Sequence, residues 1–123
     1  MKRTVKFRGK RYNGNWIFGS LIDYNDGTIP MIANREYGCE HIIPETVGQF
    51  TRLRDKNGKE IYEGDILICN SNPLKGFIEW NKILCQFQCT WNNKLGAADI
   101  YHLIKYCNGE VIGNIHDNPE LLT

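Results

Sequence analysis

The sequence predicts a mainly β protein, and three observations carry that expectation. Turn dipeptides of the hairpin type recur, with Asn-Gly at 13–14, 57–58 and 108–109 and Asp-Gly at 26–27. Such pairs tolerate the positive φ that tight hairpins demand. Between them lie short runs rich in Ile, Val, Phe and Trp, at strand length rather than helix length. A helical period is legible in one longer stretch only, Ala97 to Cys107, with apolar residues at Ala97, Ile100, Tyr101 and Ile104 and with Leu103 and Cys107 extending the stripe.

Taken in order, Val5 to Tyr12 and Asn15 to Ile22 pair as strands around Asn13-Gly14, and Asp26-Gly27 returns the chain through Thr28 to Ile32. This is an N-terminal β-meander. Residues 33 to 48 lack clean periodicity and read as a connecting loop with a short strand near His41 to Ile43. A second unit starts near Gln49: Phe50 to Leu53 and Glu60 to Tyr62 flank Asn57-Gly58, followed by Asp65 to Cys69, Gly76 to Trp80 and Leu84 to Trp91. Asn70 to Pro73 and Asn92 to Lys94 separate these runs as loops. Five short strands with tight turns predict a small SH3-like β-barrel, whose closure removes exposed edges. After the helix, Asn108-Gly109 serves either as its stop or as a hairpin turn before Val111 to Ile115. Asp117 or Asn118 then caps a last helical turn that opens at Pro119 and carries Leu121 and Leu122. The expected organisation is a meander lobe over 1–48 packed on a barrel lobe over 49–123, with one or two short helices. Gly14, Gly27, Gly48, Gly58, Gly64, Gly109 and Gly113 are the expected turn or close-approach glycines.

The 123 residues are 41% hydrophobic and 24% charged, ordinary values for one compact globular unit. No apolar run has the length of a membrane helix, and the opening MKRTVKFRGKRY has no apolar signal region, so a cytoplasmic protein is expected. The net charge of +1 is unevenly spread: Lys2, Arg3, Lys6, Arg8, Lys10 and Arg11 put +6 in the first eleven residues, leaving −5 for the remainder. A basic arm of this kind can hold a polyanion such as nucleic acid. The simpler reading is a strand with a charged outer face, because Val5 and Phe7 alternate with Lys6 and Arg8.

No constellation carries a recognisable chemistry. Cys39, Cys69, Cys85, Cys89 and Cys107 form no even disulfide set and no C-x-x-C pair, and Cys39-Glu40-His41 with Cys85 and Cys89 matches structural zinc spacings poorly. Reduced, inert thiols and no metal or cofactor are expected, with Cys69, Cys85 and Cys89 in apolar stretches. Glu60, Glu63 and Asp65 beside Lys59 are the densest ionisable cluster, but Gly64 places them around a turn, where acids bond backbone N–H groups. His116-Asp117 lies in a turn as well, and no nucleophile or phosphate-loop motif occurs. Tyr62, Phe77, Trp80 and Trp91 read as core rather than as a base-stacking platform, Trp80 as an inward residue.

One stretch speaks beyond its residue chemistry. PETVGQFTRLRDKNGKEIYEGDILI, residues 44 to 68, resembles the signature of the YopX family of small phage and prophage proteins. The tail from Val111 to Leu122, VIGNIHDNPELL, is similar to that family's C-terminal motif, and Phe7 to Lys10 with Trp16 to Leu21 fits more loosely. The family usually has glycine where this chain has Arg52. The resemblance implies a mainly β fold from a mobile genetic element in a bacterial host, and no established activity. The resulting expectation is a non-catalytic binding or self-assembling module, with a second copy, a phage protein or a host protein as partner. The alternative is a nucleic-acid-binding module using the basic strand.

Overall fold

The computed structural model describes residues 4–69, 74–92 and 96–123. Among these described residues the fold is mainly β, with two antiparallel sheets, one α-helix and no closed barrel. It divides into two compact units, Met1–Phe50 and Thr51–Thr123.

In the first unit, β1 (Phe7–Lys10), β2 (Trp16–Ile22), β3 (Met31–Asn34) and β4 (Gly38–His41) form an antiparallel meander, and the start of β5 (Gly48–Arg54) pairs on the far side of β1. Phe7 faces Gly19 and Lys10 faces Trp16 across β1–β2. A bridge from Arg11 to Ile42, with the Ile43 amide donating to the Lys10 carbonyl at 2.8 Å, ties the end of β1 to the end of β4. Ile17, Ile32 and Ile42 form the core, with Phe7, Leu21 and Val47 packed around them. Burying each isoleucine contributes about 1.5–3 kcal/mol.

β3 begins within the expected Thr28–Ile32 strand, but its second half and most of β4 fall where a connecting loop was expected. The β3–β4 turn is built by one side chain: Asn34 Oδ1 accepts the amides of Glu36 at 2.7 Å and Tyr37 at 3.3 Å, while its Nδ2 donates to the Phe18 carbonyl. Asn…Gly38 across a five-residue turn lacks the adjacent Asn-Gly pair that marks the other hairpins, so the turn is specified by a bond that spacing does not show.

In the second unit, the rest of β5 pairs with β6 (Glu60–Tyr62), and β7 (Asp65–Ile68), β8 (Lys75–Asn81) and β9 (Gln86–Trp91) form a meander. β10 (Ala97–Ala98) borders β9, and β11 (Glu110–Asn114) returns to pair with β7, giving the order β10-β9-β8-β7-β11. Helix α1 (Ile100–Cys107) places Ile100 and Leu103 into a core shared with Ile61, Leu67, Ile78, Cys89 and Val111. It starts three residues later than its apolar stripe, because Ala97 and Ala98 are in strand β10. Asn108 ends it in the left-handed conformation, φ 53°, so Asn108-Gly109 is a helix stop and not a hairpin turn. Pro119–Leu122 is a short 3₁₀ turn, and the expected cap does not form: Asn118 Oδ1 instead accepts the Asn114 amide at 3.2 Å.

The hairpins at Asn13-Gly14 and Asn57-Gly58 are present, but with a different turn. Only the glycines have positive φ, and Gly58 at 81° follows a tight turn in which its amide donates to the Asp55 carbonyl. This is the longer loop in which a left-handed glycine rejoins the strand, rather than the two-residue turn expected. Of the singled-out glycines, Gly14, Gly27 and Gly64 also have positive φ, whereas Gly48, Gly109 and Gly113 do not. Gly48 and Gly113 lie in strands, and a Cβ at Gly113 would sit 2.6 Å from Asn118 Oδ1, so that position requires close approach.

Arg52 has φ 70° inside β5. The resemblance implies glycine at this position, and a left-handed backbone is one that glycine adopts without a Cβ clash. The kink leaves the Leu53 amide bonded to the Thr51 hydroxyl at 3.2 Å, while that hydroxyl donates to the Ile61 carbonyl at 2.8 Å.

Candidate binding surfaces

The basic strand does not present a row of outward charges. Arg8 is buried, 7% exposed, with its guanidinium 4.8 Å from the Trp16 ring. Lys6 Nζ lies 5.3 Å from the Phe50 ring, and the Arg11 guanidinium lies 4.6 Å from Tyr37 with Nη1 3.9 Å from Glu40 Oε1. Lys10 is half-buried, and its amide donates to Thr46 Oγ1. Lys2 and Arg3 lie outside the described residues. The alternation expected of Val5, Lys6, Phe7 and Arg8 is therefore reversed at two positions, since Val5 is exposed and Arg8 is not. Arginine accepts this placement because its planar, weakly hydrated head stacks on aromatic faces while its stem covers apolar surface. Each such stack is worth about 0.5–2 kcal/mol. A phosphate would have to draw these cations off their rings.

The carboxylates serve as scaffold. Asp65 is buried, and its Oδ2 accepts the Tyr62 amide at 2.7 Å; Glu60 accepts the Tyr62 hydroxyl at 3.0 Å and lies 3.4 Å from Arg54. Asp55 has the strongest scaffold role. Its carboxylate accepts the amides of Asn57, Lys59 and Val111, each at 2.9 Å, which joins the β5–β6 turn to β11. Burial pushes the Asp55 carboxyl up, but the Val111, Lys59 and Asn57 amides outweigh it and hold the group below its ordinary value. Asn114 Oδ1 accepts the amides of His116 and Asp117, so the tail motif forms a self-bonded turn. Among the described residues, no three His, Cys, Asp or Glu side chains are grouped to hold a metal ion. Cys39 and His41 lie in the first unit, and Cys85 and Cys89 lie in the second.

The second unit does display apolar side chains on ordered elements. At the β8–β9 hairpin apex, Ile83 is 87% and Leu84 62% exposed. Asn81 orders the apex: its Oδ1 accepts the amides of Ile83 and Leu84 at 3.0 Å, and its Nδ2 donates to Gln88 Oε1 at 2.8 Å. Cys85, expected in an apolar interior, is exposed at this apex with φ 53°. Trp80, expected inward, is 44% exposed and meets its cross-strand partner Phe87 edge-on at 4.9 Å. On α1, Tyr101 and Tyr106 are exposed, with Lys105 Nζ 5.6 and 5.4 Å from their rings and His102 5.0 Å from Tyr106. Tyr101, expected on the apolar stripe of the helix, and Leu84, expected to open a strand, are exposed instead, while Ile83 and Tyr106 carried no expectation. The available signal was an Ile-Leu pair beside Asn81-Lys82, where a hairpin apex is ordinarily polar.

The first unit has an open hollow of about 350 Å³ lined by Ser20, Ala33, Asn34, Arg35, Gly38 and Cys39. Asn34, its central polar group, is engaged in the β3–β4 turn. Among the described residues, no helix is long and apolar enough to cross a membrane.

Among the described residues, two antiparallel sheets with a single helix define a mainly β protein. The model of the YopX protein family matches residues 6–123, and the chain belongs to that family. No curated protein matches it significantly. Among solved structures it is similar to the crystal structure of protein EF1440 from Enterococcus faecalis, at 24% identity and a TM-score of 0.66, covering 99% of this chain and 100% of that one. This likeness shows the fold.

Proposed function

We propose that this chain is a phage or prophage accessory protein of the bacterial cytoplasm that acts as a non-catalytic binding module, with a second copy of itself as first partner. One observation carries the reading: Ile83 and Leu84 are held in solvent by an apex that Asn81 makes rigid. A floppy loop would lose ordering entropy on binding, whereas a pre-ordered apex avoids most of that cost. The tyrosines of α1 add large contact area with few rotatable bonds. The meander β7–β8–β9 with β11 returning beside β7 fits an opened SH3-like arrangement, a scaffold that leaves hairpin apices available for contact. Nucleic-acid binding through the basic strand is the weaker alternative, because Arg8 and Arg11 are engaged with Trp16, Tyr37 and Glu40.

The test is the double variant Ile83→Asp with Leu84→Asp, measured by light scattering beside wild type. Wild type is expected to associate and the variant to be monomeric and cooperatively folded, with melting temperatures that converge on dilution because association itself stabilises the wild type. An associated variant, or a wild type that stays monomeric across the concentration range, would overturn the reading.

A further inference from the structure

Four of the five thiols lie in the second unit, and three of them, Cys69, Cys89 and Cys107, gather at its core. Cys89 is fully buried in the sheet core, and Cys107, the last residue of α1, is half-buried and packs against that same core. Cys69 directly follows β7, and its Sγ lies 3.6 Å from the carbonyl oxygen of Cys107. A cysteine's own sulfur is separated from its carbonyl oxygen only by Cβ, Cα and the carbonyl carbon. A thiol in contact with that oxygen lies against the backbone of Cys107, so Cys69 and Cys107 are spatial neighbours although far apart in sequence.

Exposure sorts the three by role. Cys107 is the most accessible, while Cys69 is 6% exposed and Cys89 is fully shielded. Burial, with Cys69 beside it, pushes the Cys89 thiol up to about 12, so Cys89 supplies no thiolate at neutral pH. A pair made of one reachable thiol and one sheltered neighbour is the arrangement of a peroxide-sensing cysteine with its resolving partner.

We propose that Cys107 and Cys69 are a latent disulfide pair, oxidised by hydrogen peroxide or an organic hydroperoxide to a bridge that pins the C-terminal end of α1 to the end of β7. The Cys107 thiolate attacks the distal peroxide oxygen, forming a sulfenic acid as the O–O bond breaks and water or the alcohol departs. The Cys69 sulfur then attacks the Cys107 sulfur as its proton passes to the expelled hydroxide, which leaves as water. Two thiols lose two electrons and two protons, and the peroxide takes up both. The bridge spans 38 positions of chain. Closing a loop of that length restricts the unfolded ensemble, so the oxidised form melts higher.

The experiment treats the full chain with hydrogen peroxide, blocks remaining thiols with iodoacetamide and maps peptides without reduction. The expected product is a monomer carrying a Cys69–Cys107 linked peptide, formed also in Cys89→Ser and absent from Cys69→Ala and Cys107→Ser. Its melting temperature is expected to rise by about 5 °C or more and to return on adding dithiothreitol. Because the mapping is done on wild type, poor folding of a variant leaves the result readable. A Cys69–Cys89 link, dimers cross-linked through Cys39 or Cys85 with Cys69 and Cys107 free, or over-oxidised Cys107 without a bridge would each overturn the proposal.

Discussion

Arg52 occupies a backbone conformation that side chains with a Cβ rarely adopt, φ 70° inside a strand. The left-handed region costs a non-glycine residue about 1–2 kcal/mol. Glycine there relieves that strain, while greater freedom of the unfolded chain takes back about 0.4–1 kcal/mol. Arg52→Gly is therefore expected to leave the melting temperature unchanged or raise it by a few degrees, although glycine in a strand ordinarily destabilises. Arg52→Val, β-branched at positive φ, is expected to lose about 1–2 kcal/mol more than the arginine does. A clear drop for Arg52→Gly in thermal melting would contradict the assigned kink.

Asp55 gives the second test at this scale. Its folded-state carboxyl titrates below the unfolded one, so the contribution is complete above the unfolded value and is lost as pH falls through the folded value. Wild-type stability is expected to decline below about pH 4. Asp55→Asn keeps the shape but lacks the charge; it is expected to be less stable at pH 7 by about 1–3 kcal/mol and flatter in the acid range. Equal acid slopes in urea titrations of the two proteins would show that Asp55 does not set the acid limit.

At the scale of elements, the hairpin at Asn57-Gly58 depends on the glycine rather than on the pair. Gly58→Val is expected to cost about 1–3 kcal/mol, because φ 81° is strained for any side chain even though open space surrounds the position. A melting temperature within a degree of wild type would contradict the turn. The sequence made most strands legible, since β1, β2, β5 and β6 stand beside Asn-Gly pairs and β7, β8 and β9 are short apolar runs. It hid most of β4 and the β3–β4 turn, which rests on the Asn34 side chain accepting the Glu36 and Tyr37 amides and reaching Phe18 sixteen residues away. Trp80 and Cys85 were misplaced for a related reason. Apolar character predicts burial only if the element reaches the core, and the β8–β9 hairpin extends past it. Arg8 failed in the opposite sense, because a cation stacked on Trp16 is a stable buried state that charge alone does not reveal.

For the whole molecule, the proposed function is contact through a surface, and salt separates the two kinds of surface. Phosphate contacts release counterions, so a site with four of them would lose roughly 150-fold in affinity between about 50 and 200 mM salt. Contacts made by burying apolar side chains are not screened in this way. The candidate site was partly legible: the basic strand could be read directly, while the rigid apex of Ile83 and Leu84 needed the Asn81 side-chain bonds to become visible.

Sedimentation velocity of the wild-type chain at about 50 and 200 mM salt, with and without a mixed-sequence DNA duplex, tests the central claim most directly. The account predicts an associated protein at both salt concentrations and no submicromolar DNA binding at the higher one. A monomer that binds DNA tightly at low salt, and loses it on Lys6→Glu with Lys10→Glu, would contradict it.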